Sequence, residues 1–499
     1  MPVVPVTGGS IRGVALDGAP GAVFKGIPFA RPPLGDLRWR EPMPVADWEG
    51  IRDALASGRP AAQPSQGWND AAAAASGEDC LYLDVWTPSC KPSARLPVMV
   101  WIHGGANVAG AGGFDTLYDG RALISHGVVL VVVEYRLGVF GFFSHPDLTG
   151  ESPHHASGNY GLMDQAAALR WVRDNIAKLG GDPDNVTLFG QSAGSMDVLA
   201  LMASPLASGL FQRVIAESGP SLYPARILSL PLSSTEKEGV RVASELGAPA
   251  TGTLAYLRAL STEALLKRSH WMLALSADGW ALPSTPGAVF REGTEARVPL
   301  IIGSNAIEFP FTGPYVVFRD MLGQVFGGLA PRALALYGLT GDADQGKPDP
   351  LYGNAKDQWG SDMFRCPAAV QGEWHSARGN PTWEYQFDRA IPPHPRTSHS
   401  GELAYVFGNL LPTGSQPGDF QEADRSLSAT IQAYWTNFAK TGNPNGPGAP
   451  PWPEYDGKAR TYMDFTTAGA ARVAENQRGP FTDLFRQALS RAAEASQQP

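Results

Sequence analysis

Ser192 stands at the centre of Gly190-Gln191-Ser192-Ala193-Gly194, with a glycine two positions to either side. The apolar run 185–189 before it reads as a short strand, and 195–202 after it reads as a helix. A serine on so sharp a strand-to-helix turn sits in strained backbone geometry that only small neighbours accommodate. The turn lifts the hydroxyl clear of the sheet edge. The following helix points its N-terminal amides at the same place, which favours developing negative charge. The chemistry such a turn performs is nucleophilic attack on a carbonyl. The competing structural reading is a helix-entry turn capped by a serine.

A serine hydroxyl is a weak nucleophile and needs a base. The chain has nine histidines. The chain order serine, acid, histidine of α/β-hydrolases requires one after Ser192, which leaves His270, His375, His394 and His399. His399 ranks first because it lies in the Pro/Ser-rich loop 395–401, and strand-end loops present catalytic groups. His394 ranks second. The third member is a carboxylate that orients the imidazole and offsets its charge. Glu308 follows the apolar run 298–302 across the turn 303–305, although a solvated loop carboxylate would look the same. Acyl transfer also needs donors for the tetrahedral oxyanion. The run 96–102 leads into His103-Gly104-Gly105-Ala106, which resembles the HGGG loop that supplies them. The predicted donors are the amides of Gly105, Ala106 and Ala193. An ordinary strand-end turn is the alternative for this loop.

These groups must be held by alternating elements. The runs 96–102, 128–134, 185–189 and 298–302 predict buried strands, and 162–179 predicts a helix stopped at Gly180-Gly181. Strands alternating with helices imply an α/β fold with a mostly parallel sheet. No 20–50-residue repeat and no long linker interrupts the chain, so residues 1–499 read as a single domain. The alanine run 71–75 predicts a loop or short helix. Segments 107–120, 412–420 and 442–453 predict loops.

Charged residues are 17% of the chain, below the roughly 25% of an average globular protein. With 43% apolar residues a large core is available. The net charge of −9 is a poor match for phosphate neutralisation, so neither nucleic acid nor an anionic membrane is an expected partner. No apolar run reaches the roughly 18 residues that span a bilayer, and no signal-peptide pattern opens the chain. Cys80, Cys90 and Cys366 form no disulfide framework and no metal-like spacing, although a Cys80–Cys90 pair stays open. The expected compartment is the cytoplasm, with the thiols reduced. No metal or organic cofactor is called for. His154-His155 reads as a solvated loop rather than a ligand pair. His399 and Glu402, three apart, lack further ligands nearby in sequence.

Several long segments, in order, resemble the type-B carboxylesterases, the family that includes the cholinesterases. They are 26–39, 77–85, 158–194, and 434–445 followed by Trp452-Pro453. The resemblance implies an α/β-hydrolase fold, with a central sheet flanked by helices and large loop and helical insertions. It implies hydrolysis of small-molecule carboxylic esters through an acyl-serine. It places the nucleophile on Ser192, the acid on Glu308 and the base on His399. It also implies two structural ion pairs, Arg38–Glu78 and Arg136–Asp164.

The departures from the family pattern are specific. Ala106 stands where a third glycine is common, and Asn107 where an aromatic is common. Gln191 replaces a frequent glutamate. Asp197 stands where serine is usual, and as a buried carboxylate it needs a partner or a raised pKa. Asn107 is expected to add a polar donor near the oxyanion. The segment 58–63 lacks the cysteine that secreted relatives pair with the Cys80 position. Trp68, Trp271, Trp280, Phe309 and Phe311 are candidates to wall a substrate gorge, or else core residues. The expected substrates are small to medium uncharged esters. The alternatives are an amidase or carbamate hydrolase, a lipase, and a non-catalytic binding protein of the same fold.

Overall fold

Runs of valine, isoleucine and leucine build the centre of the molecule. A computed structural model describes residues 1–18, 20–113, 116–223, 229–267, 274–341, 346–391, 394–410 and 418–495. Its central sheet has eleven strands: β1 (Val14–Ala15), β2 (Ala22–Pro28), β3 (Tyr82–Thr87), β4 (Leu96–Ile102), β5 (Val129–Val133), β6 (Gly181–Gln191), β7 (Arg213–Glu217), β8 (Leu300–Asn305), β9 (Thr382–Phe387), β10 (Thr461–Phe465) and β11 (Ala471–Glu475). The spatial order is β11-β10-β9-β8-β7-β6-β4-β5-β3-β2-β1. Strands β4 to β10 pair in parallel, and the outer strands add antiparallel edges.

The parallel strands are buried on both faces, which is why they read as continuous apolar runs. Val98, Val100 and Ile102 of β4 join one core layer, and Met99 and Trp101 join the other. Helices α1 (Tyr160–Asn175) and α2 (Ala193–Met202) cover the first face, using Leu162, Ala166, Leu169, Val172 and Val198. Helix α4 (Glu422–Thr441) covers the second with Leu427, Ile431, Tyr434 and Phe438. Helix α3 (Ala355–Ser376) lies against β8 and against α5 (Gly479–Ala495). Large helical insertions follow β7 and β8, at 232–266 and 315–336.

The register brings the strand ends into one row. Ile102 pairs with Gly190, Glu217 with both Gln191 and Gly303, and Asn305 with Phe387. Every loop carrying a candidate site residue leaves from this edge.

Local boundaries depart from expectation in four places. Strand β6 begins at Gly181 rather than at 185, and β5 stops at Val133. Strand β8 runs from Leu300 to Asn305 instead of 298 to 302. There Pro299 has no N–H to give, and the Val298 carbonyl accepts from Nε2 of His375 at 2.9 Å. Helix α1 ends at Asn175, after which 176–179 tighten into a 3₁₀ turn closed by Gly180 at φ 86°. Residues 70–75 form a short helix. All three cysteines are free, so Cys80 and Cys90 are not joined. Residues 114–115 and 412–417 of the expected loops, along with His270 and Trp271, lie outside the described residues. Loop 442–453 is pinned where the Asn445 side chain accepts from the Trp452 amide at 2.6 Å. Among the described residues no helix is long and apolar enough to cross a membrane, and no group of three metal-ligating side chains converges.

Both implied ion pairs form, and both are buried. Arg38 holds Glu78 through two bonds of 2.7 Å, and Arg136 holds Asp164 the same way.

Candidate active site

Ser192 sits between β6 and α2 with φ 57° and ψ −124°, a region that side-chain-bearing residues rarely occupy. The crossing is tight on both sides. A Cβ at Gly190 would lie 2.7 Å from the Gly194 carbonyl and 2.8 Å from the Ile102 oxygen. A methyl at Gly194 would run into the same β4 terminus. The strained turn is fastened by the Ser192 amide, which donates to Glu217 O at 2.8 Å, and by the Ser195 hydroxyl, which donates to Gly219 O at 2.8 Å. Ser192 itself is half-buried.

The loop after β4 folds back over this turn. Gly104 approaches so closely that a Cβ there would lie 2.7 Å from Gln191 O and 2.9 Å from Ser192 Cβ. Gly105 has φ 111°, and its carbonyl accepts from the amides of both Val108 and Ala109 at 3.0 Å. Ala106 and Asn107 follow at φ 57° and 56°. Ala106 is exposed, so its methyl stands at the lip of the site. His103 points inward; burial pushes its pKa down to about 4, so the ring is neutral.

The structure brings Glu308 and His399 together from loops 91 residues apart, with Nδ1 of His399 on Oε2 of Glu308 at 2.5 Å. The other carboxylate oxygen of Glu308 accepts from the Asn305 amide at 2.7 Å. Its own amide donates to the Ser361 hydroxyl on α3 at 3.0 Å. Glu308 is buried rather than solvated. Nε2 of His399 receives the side-chain amide of Gln191 at 3.2 Å.

The other described histidines are elsewhere. His375 is buried between Glu295 (2.7 Å) and the Val298 carbonyl, and His394 is exposed. His154 stacks on Trp280 with ring centroids 3.8 Å apart and faces Glu41, so it is held on the surface rather than loosely solvated.

Behind the histidine lies a set of buried acids. Glu402 does not share a ligand position with His399. Its oxygens accept from the Asn305 amide nitrogen (2.6 Å) and the Ser218 hydroxyl (3.4 Å). Burial, then the charge of Glu308, pushes Glu402 up to about 7. Glu217, bonded to the Trp435 indole at 2.8 Å, is raised well above the carboxylate range by burial and then by Glu402. Glu217 therefore favours the neutral acid, and Glu402 keeps its proton up to about pH 7.

Of the aromatic candidates, Phe309 flanks His399, with ring centroids 4.2 Å apart and its outer face half exposed. Trp68 is exposed, and Phe311 packs on Phe318 in a separate core. Two flanking aromatics were not foreseen. Phe364 lies 5.2 Å from the imidazole, and Tyr223 meets Phe364 edge-on. The only signal for Phe364 is its helical spacing of three from Ser361.

The departures at Asn107 and Asp197 also resolve. Asn107 is buried, and its side chain is engaged inside the molecule. Its Nδ2 donates to Oδ1 of Asp197 at 2.9 Å. Oδ2 of Asp197 accepts from Gln165 Nε2 at 2.5 Å. Burial pushes Asp197 up to about 7, with both amides opposing the shift. The carboxylate thus has the partner and the raised pKa that its position demands.

A family model for the carboxylesterase family matches residues 1–325 and 330–482. A medium-chain fatty acyl-CoA hydrolase precursor of Anas platyrhynchos is 35% identical over 539 residues, covering 98% of this chain and 93% of that protein. A cocaine esterase of Homo sapiens is 36% identical over 475 residues, covering 87% and 81%. Among solved structures, a PNB esterase superposes with a TM-score of 0.83 at 32% identity, covering 97% of this chain and 99% of that one.

Proposed function

From the premise that this chain belongs to the carboxylesterase family and is a serine hydrolase of carboxylic esters, we propose that Ser192, His399 and Glu308 carry the reaction. Nε2 of His399 takes the Ser192 proton as Oγ bonds to the ester carbonyl carbon. The carbonyl oxygen gains the electron pair and is met by the amides of Gly105, Ala106 and Ala193. The pair returns, the carbon–alkoxide bond breaks, and Nε2–H protonates the leaving alcohol. Water, deprotonated by the same nitrogen, then attacks the acyl carbon, the carbon–Oγ bond breaks to release the acid, and Nε2–H returns its proton to Ser192. Glu308 keeps Nδ1 protonated, fixes the ring's tautomer and offsets its transient charge.

The observation that carries this reading is the 2.5 Å contact between His399 Nδ1 and the buried Glu308, beside a serine at φ 57°. Substrate class follows from the walls. Phe309 and Phe364 offer apolar faces beside the imidazole, and Tyr223 meets Phe364 edge-on, which favours uncharged esters of small to medium size.

Hydrolysis of a chain-length series of p-nitrophenyl esters, with Ser192→Ala as control, tests the reading. Activity on short and medium acyl chains that the substitution abolishes is expected. Turnover that survives Ser192→Ala would remove the assignment.

A further inference from the structure

Two residues that look unusual singly turn out to be one unit. Asn107 lies on the loop after β4, one residue beyond Ala106, and Asp197 lies on α2, five residues beyond Ser192. They meet in the space between loop and helix, both buried, through the 2.9 Å bond from Asn107 Nδ2 to Asp197 Oδ1.

Every polar atom of the Asn107 side chain is engaged. Its Oδ1 accepts from the Tyr135 hydroxyl at 3.1 Å, sharing that single hydrogen with the His103 carbonyl at 2.7 Å. Its backbone carbonyl accepts from the Gly138 amide at 2.6 Å. The left-handed backbone at Ala106 and Asn107 is unfavourable for residues bearing a Cβ, so something must hold it. An aromatic or aliphatic side chain at 107 could not hydrogen-bond across to the helix, and a serine at 197 would not reach both partners.

We propose that Asn107 and Asp197 form a positioning pair that clamps the oxyanion loop to the helix carrying the nucleophile. Asp197 receives one amide from each side: Asn107 from the loop and Gln165 from α1. The clamp sets the distance between the amides of Gly105 and Ala106, on one element, and the amide of Ala193, on the other. Neither side chain touches substrate, so both act through the donors they aim.

The chemistry of the pair allows an exchange. In N107D/D197N the carboxylate moves to position 107 and the amide to position 197. The amide oxygen at 197 still accepts from Gln165, its nitrogen donates across the pair, and the carboxylate still accepts from Tyr135. The single change N107D instead sets two carboxylates face to face.

The inference rests on the oxyanion role proposed for Gly105 and Ala106, and the test separates the two. Activity persisting in Ser192→Ala defeats that reading. With activity dependent on Ser192, p-nitrophenyl acetate kinetics and thermal midpoints are measured for N107D, N107L and the exchange. Loss of one oxyanion donor typically costs about 10²–10³ in turnover, so a displaced loop should lower kcat about tenfold to a hundredfold. KM should stay within about threefold. The exchange should recover kcat to within about threefold of wild type, whether or not N107D folds. A folded N107D or N107L with wild-type kcat overturns the proposal. So does a folded exchange variant that is as slow as the single variants.

Discussion

Gln191 donates its side-chain amide to Nε2 of His399 at 3.2 Å, on the ring nitrogen that Glu308 leaves free. Under the proposed mechanism, the residue before Ser192 thus occupies the lone pair that receives the serine proton. Catalysis requires the amide to yield that nitrogen, at the cost of a neutral hydrogen bond worth about 1 kcal/mol. A carboxylate at 191 could not donate and would instead attract the protonated ring. In Gln191→Glu the acid limb of kcat/KM should move to higher pH by about one unit. A pH profile from 5 to 9 checks this, and an unmoved limb would show that position 191 is not coupled to the base.

Glu308 is enclosed by the Asn305 amide and by Ser361 behind its own backbone. Glu308→Gln preserves volume but presents either an N–H or a carbonyl to Nδ1, with no charge to offset an imidazolium. A drop in kcat of about 10²–10⁴ is expected, with little change in thermal midpoint. Single-turnover acylation measured by release of p-nitrophenol gives the number directly.

Arg136 and Asp164 differ in kind from the surface pair of Arg241 with Glu238. The first is fully buried and bidentate, and Arg136 also donates to the Arg40 carbonyl at 2.8 Å. The second is half exposed. Arg136→Met leaves a buried carboxylate without its cation and should cost about 3–5 kcal/mol. Arg241→Ala should leave the denaturation midpoint close to that of the wild type. Denaturant melts of the two variants would separate these magnitudes, and equal losses would contradict the burial argument.

The buried acids make stability depend on pH in an unusual direction. Glu402 and Asp197 are held up to about 7 in the folded protein, against about 4 in an unfolded chain. Between those values the folded state keeps a proton that the unfolded state has released. Their stabilising contribution is therefore fully present below about pH 4 and is lost as pH rises through about 7. Glu402→Gln does not titrate. The thermal midpoint of that variant, relative to wild type, should rise from pH 5 to about pH 7 and level off above it. A constant difference across that range would refute the assignment.

Of the three residues proposed for the chemistry, Ser192 is marked by its own Gly-x-Ser-x-Gly pattern, whereas the turn before Glu308 and the loop around His399 only rank those two, and the resemblance to the type-B carboxylesterases selects them. Four of the parallel strands are legible because burial on two faces leaves apolar runs, whereas β7, β9 and β10 go unannounced because Arg213, Glu217, Glu384, Gln386 and Asp464 interrupt theirs. What the sequence leaves dark is tertiary. Asn107 and Asp197 each stand out against the family pattern, yet they are 90 residues apart, and only the packing of α2 beneath the loop after β4 makes them partners. Phe364 reaches His399 because α3 lies against β8, a relationship that no periodicity within α3 encodes. Strand β8 is displaced by Pro299 and by a histidine 77 residues away that claims the Val298 carbonyl.

The nucleophile turn and its oxyanion loop are complete by residue 219, where Gly219 O receives the Ser195 hydroxyl. The histidine that faces Glu308 arrives only at residue 399, and Glu308 is itself anchored to Ser361. During synthesis from the N-terminus, about 180 further residues must leave the ribosome before the serine meets its base. On the proposed assignment, a nascent or prematurely terminated chain carries an unarmed serine, and ester cleavage begins only when the C-terminal half has folded onto the sheet.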